Sequence, residues 1–401
     1  MNTRSVAVIS TSRADYSHLY WVLRELRDRP DIDLKLLVSG AHLSSQFGHT
    51  TDEIERDGFH IDARVECLQD ADDEIAMAKT IGTATLGLAD ALGQMRPDIL
   101  LIIADRYEML APASVALALR IPIAHIEGGD ISEGAIDDAV RNALTKLSHV
   151  HLTPTEEARL RVLEMGEEEW RVHRTGAPSL DHLQRSSIPE LAELEQRIGC
   201  EVPPGSIVVA YHPVTIARDT LREADEVFAA LHAIDRPIFF CFPNADAGGR
   251  ELIQRTSEFC DDDDRRTLFV NLNPLVYWSL LRRAGAMVGN SSSGIMETPS
   301  LRLPTVNIGF RQEGRQRAAN IIDVEADREE IVAAVHKALE PDFRQSLAGM
   351  ENPYGDGHAA ERIGEILATV PLGEELLHKR PAPLGDCQDD SSGRRPGVRA
   401  R

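Results

Sequence analysis

The sequence predicts a parallel α/β protein folded as two doubly wound halves, and three observations carry this reading. Short apolar β-type runs alternate with helical patterns almost from end to end, which is the mark of βαβ units. A polar, helix-prone connection at 181–205 separates one such series from a second. The chain has 401 residues, long enough to give each half a buried core, so a peptide hormone or a stapled mini-domain is excluded.

In order along the first half, the apolar runs predict strands at 5–11, 34–39, 99–104, 121–126 and 150–153. Helical periodicity fills the gaps at 16–27, 74–95, 107–119, 137–147 and 155–165. The second series places strands at 207–211, 237–242, 268–271, 286–288 and 305–308. An amphipathic pattern at 357–370 reads as a final helix able to pack back on the first half. The remaining segment, 371–401, is rich in Pro, Gly, Asp and Arg without apolar periodicity, so disorder is expected there. The expected division is a first domain over 1–185 and a second over 186–370.

Composition narrows the function. With 65 acidic against 43 basic residues the formal charge is −22, which argues against nucleic-acid binding through a general basic surface. An anionic ligand must be held by a local site, and local charge prevails because diffuse charge is screened beyond about 8 Å while direct contacts act at about 3 Å. Cys67, Cys200, Cys241, Cys260 and Cys387 lie scattered without metal-like spacing, so neither a disulfide framework nor a zinc site is expected. No secretory h-region or 18-residue apolar stretch is present in the sequence, so a cytoplasmic protein without a membrane partner is expected.

Ligands of open α/β sheets bind outside the carboxyl ends of the strands, and polar residues follow the strands here. Arg13 and Ser17 come after the first strand, Asp105 and Arg106 after the third, Glu127 and Asp130 after the fourth. In the second half His212, Asn244 and the run Gly289-Asn290-Ser291-Ser292 hold the same places. Small residues and hydroxyls between a strand and a helix start suit a diphosphate, although a plain Ser-rich N-cap would read the same way. Glu297, one turn on, suits a ribose diol or a helix cap. Arg13, Arg106 and His212 can each donate to phosphate oxygens, or be ordinary solvated or structural residues.

Asp105, Glu127 and Asp137, with Asp130 and Asp138 nearby, form a carboxylate group able to divide acid and base roles once burial separates their pKa values. Turn formation and helix capping are the alternatives for Asp130 and Asp137. His125 lies on the strand before Glu127, either orienting that carboxylate or filling the core, the core reading being preferred. The GxSxG, HExxH and Walker patterns are absent from the sequence.

Taken together, STSRADYSHL at 10–19, ADRYE at 104–108, HIEGGDISEGAIDDAVRNALTKLSHVHL at 125–152, TGAPSLDHL at 175–183, HPVT at 212–215, PNADAGG at 243–249 and GNSSSGIMETPSLRLPTVNIGFRQEGR at 289–315 resemble the hydrolysing UDP-N-acetylglucosamine 2-epimerases of sialic and legionaminic acid biosynthesis. The resemblance implies two Rossmann-like domains in a glycosyltransferase-B-like arrangement, with ligand in the interdomain cleft. It implies catalytic carboxylates at Asp105, Glu127 and Asp137. It further implies substrate contacts at Arg13, Ser17, Arg106, His212, Asn244, Asp246, Ser291, Ser292 and Glu297. No cofactor or metal is implied, the partner is a nucleotide-sugar substrate, and relatives assemble as homodimers or homotetramers.

The implied reaction turns UDP-N-acetylglucosamine, or a GDP- or 2,4-diacetamido-6-deoxy analogue, into the free manno-configured sugar and nucleoside diphosphate through a 2-acetamidoglucal. Two positions depart from the family pattern: Ala104 stands where the family has Gly, and Asn142 where it has His. A glycosyltransferase of the same fold and a non-catalytic nucleotide-sugar-binding paralogue are the competing readings.

Overall fold

The computed structural model describes residues 3–44, 50–69, 73–132, 136–212, 223–242, 249–270 and 272–380. A first parallel sheet contains β1 (Arg4–Ser10), β2 (Ile32–Ser39), β3 (Ala63–Val65), β4 (Ile99–Ile103), β5 (Ile123–Ile126), β6 (Val150–Thr153) and β7 (Val172–Arg174), in the order β3-β2-β1-β4-β5-β6-β7. A second holds β8 (Ile207–Ala210), β9 (Ile238–Phe242), β10 (Arg266–Val270), β11 (Ala286–Gly289), β12 (Thr305–Ile308) and β13 (Ile321–Val324), in the order β10-β9-β8-β11-β12-β13. Each sheet reverses its winding once, between β1 and β4 and between β8 and β11. Those two switch points open clefts at the carboxyl ends of the strands.

The central strands are the legible ones because both their faces are covered. Every residue of β4 (ILLII) and β9 (IFFCF) is buried, and such strands read as unbroken apolar runs. The strands absent from the sequence reading are β3, β7 and β13, and all three lie at sheet edges. Ala-Arg-Val, Val-His-Arg and Ile-Ile-Asp-Val are short, partly exposed and interrupted by polar residues, as edges must be to avoid pairing with other chains. Their apolar signal is too weak to stand out.

The last helix, Ala359–Thr369, returns to the first half and packs on helix Arg13–Asp28. Asp181, buried at the junction of the halves, accepts from the amides of Ala359 and Ala360 at 2.9 and 2.8 Å and so satisfies the start of that helix. Beside it, Ala177, Leu180, Trp278, Ile295, Met296 and Tyr354 form a small apolar core shared by both halves and the returning segment.

The disorder expected from residue 371 needs correction for its first ten residues. Glu374–Leu377 forms a helical turn with Leu376 buried. Fully buried Arg171 donates to the carbonyls of Leu376, Glu375 and His378 at 2.7, 2.9 and 3.1 Å. Backbone carbonyls captured by a distant guanidinium leave no periodicity in the sequence, which is why composition misjudged the segment. Residues 381–401 of that expectation lie outside the described residues.

Candidate active site

The carboxyl ends of β4 and β5 deliver the acidic residues, and both turns use an unusual backbone. Ala104 and Glu127 have φ of +57° and +65°, in the left-handed region that favours glycine. Residues held there against their preference cluster at functional sites, and the family glycine that Ala104 replaces would take this conformation without a Cβ clash. Asp105, next to Ala104, pairs with Arg141, whose side chain is fully buried on helix Asp137–Leu147. The same guanidinium donates to the Asp130 carbonyl and to Ser132 Oγ, both near 3 Å. Asp137, the first residue of that helix, is half-buried and acts electrostatically on Arg315.

Glu127 is 7% exposed and sits 3.3 Å from His18 Nδ1, through Oε1. Burial would push its carboxyl up, but His18 and then Arg315 hold it below its ordinary value. Burial would likewise lower the His18 pKa, yet Glu127, followed by Glu297 and Asp15, raises it to about 9. His125 makes no hydrogen bond to this pair and acts on Glu127 less than His18 and Arg315 do. It is completely buried, its Nε2 lies 2.8 Å from the Ala104 carbonyl, and burial lowers its pKa to about 4. The core reading of His125 therefore holds, and it braces the strained turn that carries Asp105.

The two halves are joined across the cleft by Arg315, from the loop after β12. Its Nε donates to the Ile131 carbonyl at 2.8 Å and lies 3.3 Å from the Asp130 carboxylate, and a further nitrogen donates to Ser132 Oγ at 3.1 Å. Burial pushes the Asp130 carboxyl up and the Arg315 charge opposes that shift. Asp130 is thus half of an interdomain ion pair rather than a simple turn residue.

Apart from the Glu297 carboxylate and Arg311, which donates to the Asn290 carbonyl at 3.0 Å, the second-half rim is built from uncharged groups. Gly289 has φ of +141°, and a Cβ there would lie 2.1 Å from the Ala210 carbonyl oxygen, so β8 and β11 can approach this closely only around glycine. Buried Asn290 then ties the two strand ends together, accepting from the His212 amide at 2.7 Å and donating to its carbonyl at 2.9 Å. Ser291 and Ser292 are half-buried at the turn, and Ser292 makes no side-chain cap bond to helix Ser293–Met296. Ser291 Oγ instead accepts from the Ser293 amide at 3.4 Å, so the Ser-rich N-cap alternative is met by Ser291. Ser293 Oγ donates to Glu297 Oε2 at 2.6 Å, fixing that carboxylate toward His18.

The remaining expected residues occupy the rim of the first half. Arg13 opens helix Arg13–Asp28 and lies 3.3 Å from Glu53, while Arg106 donates to buried Glu108 at 2.8 Å. Ser17 is half-buried one turn along, its carbonyl accepting from His182 at 2.9 Å. Asn244 and Asp246 lie outside the described residues. His18, Arg141 and Arg315 were not singled out as site residues from the sequence. Two signals were available: Arg315 follows a strand end like the residues that were chosen, and Arg141 lies four residues beyond Asp137, on the same helix face.

The arrangement places titratable groups on one wall of a cleft and backbone and hydroxyl groups on the other. Residues 24–368 match the model of the UDP-N-acetylglucosamine 2-epimerase family, and the chain belongs to that family. It is 35% identical over 378 residues, 94% of this chain and 98% of the relative, to a hydrolysing UDP-N,N′-diacetylbacillosamine 2-epimerase of Legionella pneumophila. It is 34% identical over 349 residues, 86% of this chain and 90% of the relative, to a hydrolysing GDP/UDP-N,N′-diacetylbacillosamine 2-epimerase of Campylobacter jejuni. The crystal structure of the Neisseria meningitidis UDP-GlcNAc 2-epimerase bound to UDP-GlcNAc superposes with a TM-score of 0.77 at 19% identity, covering 90% of this chain and 99% of that one. That likeness bears out the two-domain, glycosyltransferase-B-like fold. The kind of reaction is that of a hydrolysing nucleotide-sugar 2-epimerase.

Proposed function

We propose that the substrate is a nucleoside-diphosphate-linked N-acetyl sugar of the 2,4-diacetamido-6-deoxy class, UDP-N,N′-diacetylbacillosamine before its GDP counterpart or UDP-N-acetylglucosamine. The products are the free manno-configured sugar and the nucleoside diphosphate. The names of the two diacetylbacillosamine relatives support this sugar class. The observation that carries the chemistry is buried Glu127 held 3.3 Å from His18 at the carboxyl end of its strand.

Glu127, kept ionised by its neighbours, takes the C2 proton. The C2–H electrons form the C1=C2 bond of the glycal as the C1–O bond breaks toward the diphosphate. Arg13, Arg106, His212, Ser291 and Ser292 supply donors to that leaving group, stabilising its charge as it develops. Ser17, Asn244 and Asp246 complete the proposed nucleotide contacts, and Glu297 binds the ribose diol.

Hydration then places a water oxygen on C1 and a proton on C2 from the opposite face. Asp105, locked to Arg141, is poorly suited to carry that proton, which leaves Asp137 as the acid and Asp105 as an orienting charge. Proton NMR of the reaction in deuterated water tests the proposal, with deuterium expected at C2 of a free manno sugar. Intact UDP-N,N′-diacetylbacillosamine, GDP-N,N′-diacetylbacillosamine and UDP-N-acetylglucosamine after incubation would overturn it.

A further inference from the structure

His18 was not among the residues that the sequence pointed to, yet acidic residues of both halves act on it. It lies on the cleft-facing side of helix Arg13–Asp28, 109 residues before Glu127 in the chain. Its Nδ1 engages Glu127, and its side chain is 27% exposed. The backbone beneath it is fixed, because His182 Nε2 lies 2.9 Å from the Ser17 carbonyl and the His182 ring stacks on Tyr20 with centroids 5.6 Å apart. His182 is itself kept neutral, burial and then proximity to His18 lowering its pKa to about 4.

The charged groups that face His18 are therefore Glu127 from the β5 turn, Glu297 from the second half, and Asp15 from its own helix, with the neutral His182 behind it. Three carboxylates against one imidazole settle its state over the neutral range. A neutral imidazole would leave buried Glu127 with Arg315 as its main positive neighbour, and burial would then push its carboxyl up and spoil it as a base.

We infer that His18 is a positioning residue that acts as a fixed imidazolium, holding Glu127 ionised and oriented. This inference rests on the proposed role of Glu127 as the base. The charged pair is complete below the ordinary histidine value of 6.5 and is lost as pH rises through about 9. At the acid end it lasts until Glu127 itself is protonated, below its ordinary value.

The test combines rates with a titration that does not need turnover. The kcat–pH profile of the wild-type enzyme should fall above about pH 9. His18→Gln should lower kcat about 10²-fold with KM changed less than threefold, and should lose that basic limb. His18→Lys keeps a cation and should recover at least tenfold of the loss, with the limb moved to higher pH. In the full-length protein, the His18 ring should titrate near 9 by NMR, and Glu127→Gln and Glu297→Gln should each lower that value, Glu127→Gln the more. His18→Gln with wild-type kcat and an unaltered pH profile overturns the inference, as does a His18 titration below 7. If wild-type protein turns over none of the sugar nucleotides while His18 still titrates near 9 and responds to both carboxylates, the substrate reading fails and the coupling of His18 to the two acids stands.

Discussion

The walls of the cleft are made from the same architecture and opposite chemistry. At the first-half switch point, strained turns at Ala104 and Glu127 carry carboxylates whose charge is set by His18, Arg141 and Arg315. At the second, Gly289, Asn290 and the serines expose backbone and hydroxyl groups, with the Asn290 amide as the fastening. A wall that moves protons needs groups whose charge can change, and burial with specific neighbours separates their pKa values. A wall that receives a diphosphate gains from donors that stay as they are through the reaction. On the proposed function the same strand-end architecture would serve both tasks, divided by side-chain choice and by the local turn.

The sharpest way to break this comparison is Glu127→Gln. It removes the proposed base and should lower kcat by about 10³-fold, while leaving nucleoside diphosphate affinity within a few fold by calorimetry. Equal loss of rate and affinity would mean that the two walls do not divide the work.

Arg315→Met attacks the join rather than either wall. It leaves Asp130 buried without its partner, and breaking a buried pair costs about 3–5 kcal/mol of stability, read from urea unfolding. A cost under about 1 kcal/mol would show that the ion pair is replaceable by water.

Gly289→Ala tests the uncharged wall. Its Cβ would press on the Ala210 carbonyl from a backbone conformation that side chains avoid, so a loss of about 1–3 kcal/mol in stability and weaker nucleoside diphosphate binding are expected.

Ala104→Gly should have the smallest effect and the opposite sign. Relief of the left-handed alanine, about 1–2 kcal/mol, outweighs the added backbone entropy of glycine, about 0.5–1 kcal/mol. A rise in the unfolding midpoint with unchanged kcat is the expected outcome, and a loss of activity would mean that the Cβ at this turn helps place Asp105.

Much of the scaffold was legible because its signals are local. The central strands announce themselves as continuous apolar runs, and helices 74–95 and 137–147 fall where periodicity put them. The edge strands β3, β7 and β13 gave no such signal, since a strand covered on one side carries polar residues. The candidate site was legible as a set of strand-end residues, and its family motifs named the carboxylates Asp105, Glu127 and Asp137. His18 escaped because nothing in its immediate sequence distinguishes a solvated cation from a buried one, and the positional signals of Arg141 and Arg315 do not by themselves tell burial.

By itself the sequence determined that two parallel sheets would form, that polar groups would gather at their carboxyl ends, and that the chain would carry an epimerase family's motifs. Those properties follow from side-chain spacing within a few residues, which the chain holds before it folds. Only the tertiary structure decided that His18 would meet Glu127 across 109 residues of chain, that Arg315 would cross to Asp130, and that Arg171 would gather in the segment after 371. Each of these depends on burial and on a partner from another element. Burial and distant partners set the charge and orientation of an ionisable group, and neither exists until the halves have packed together.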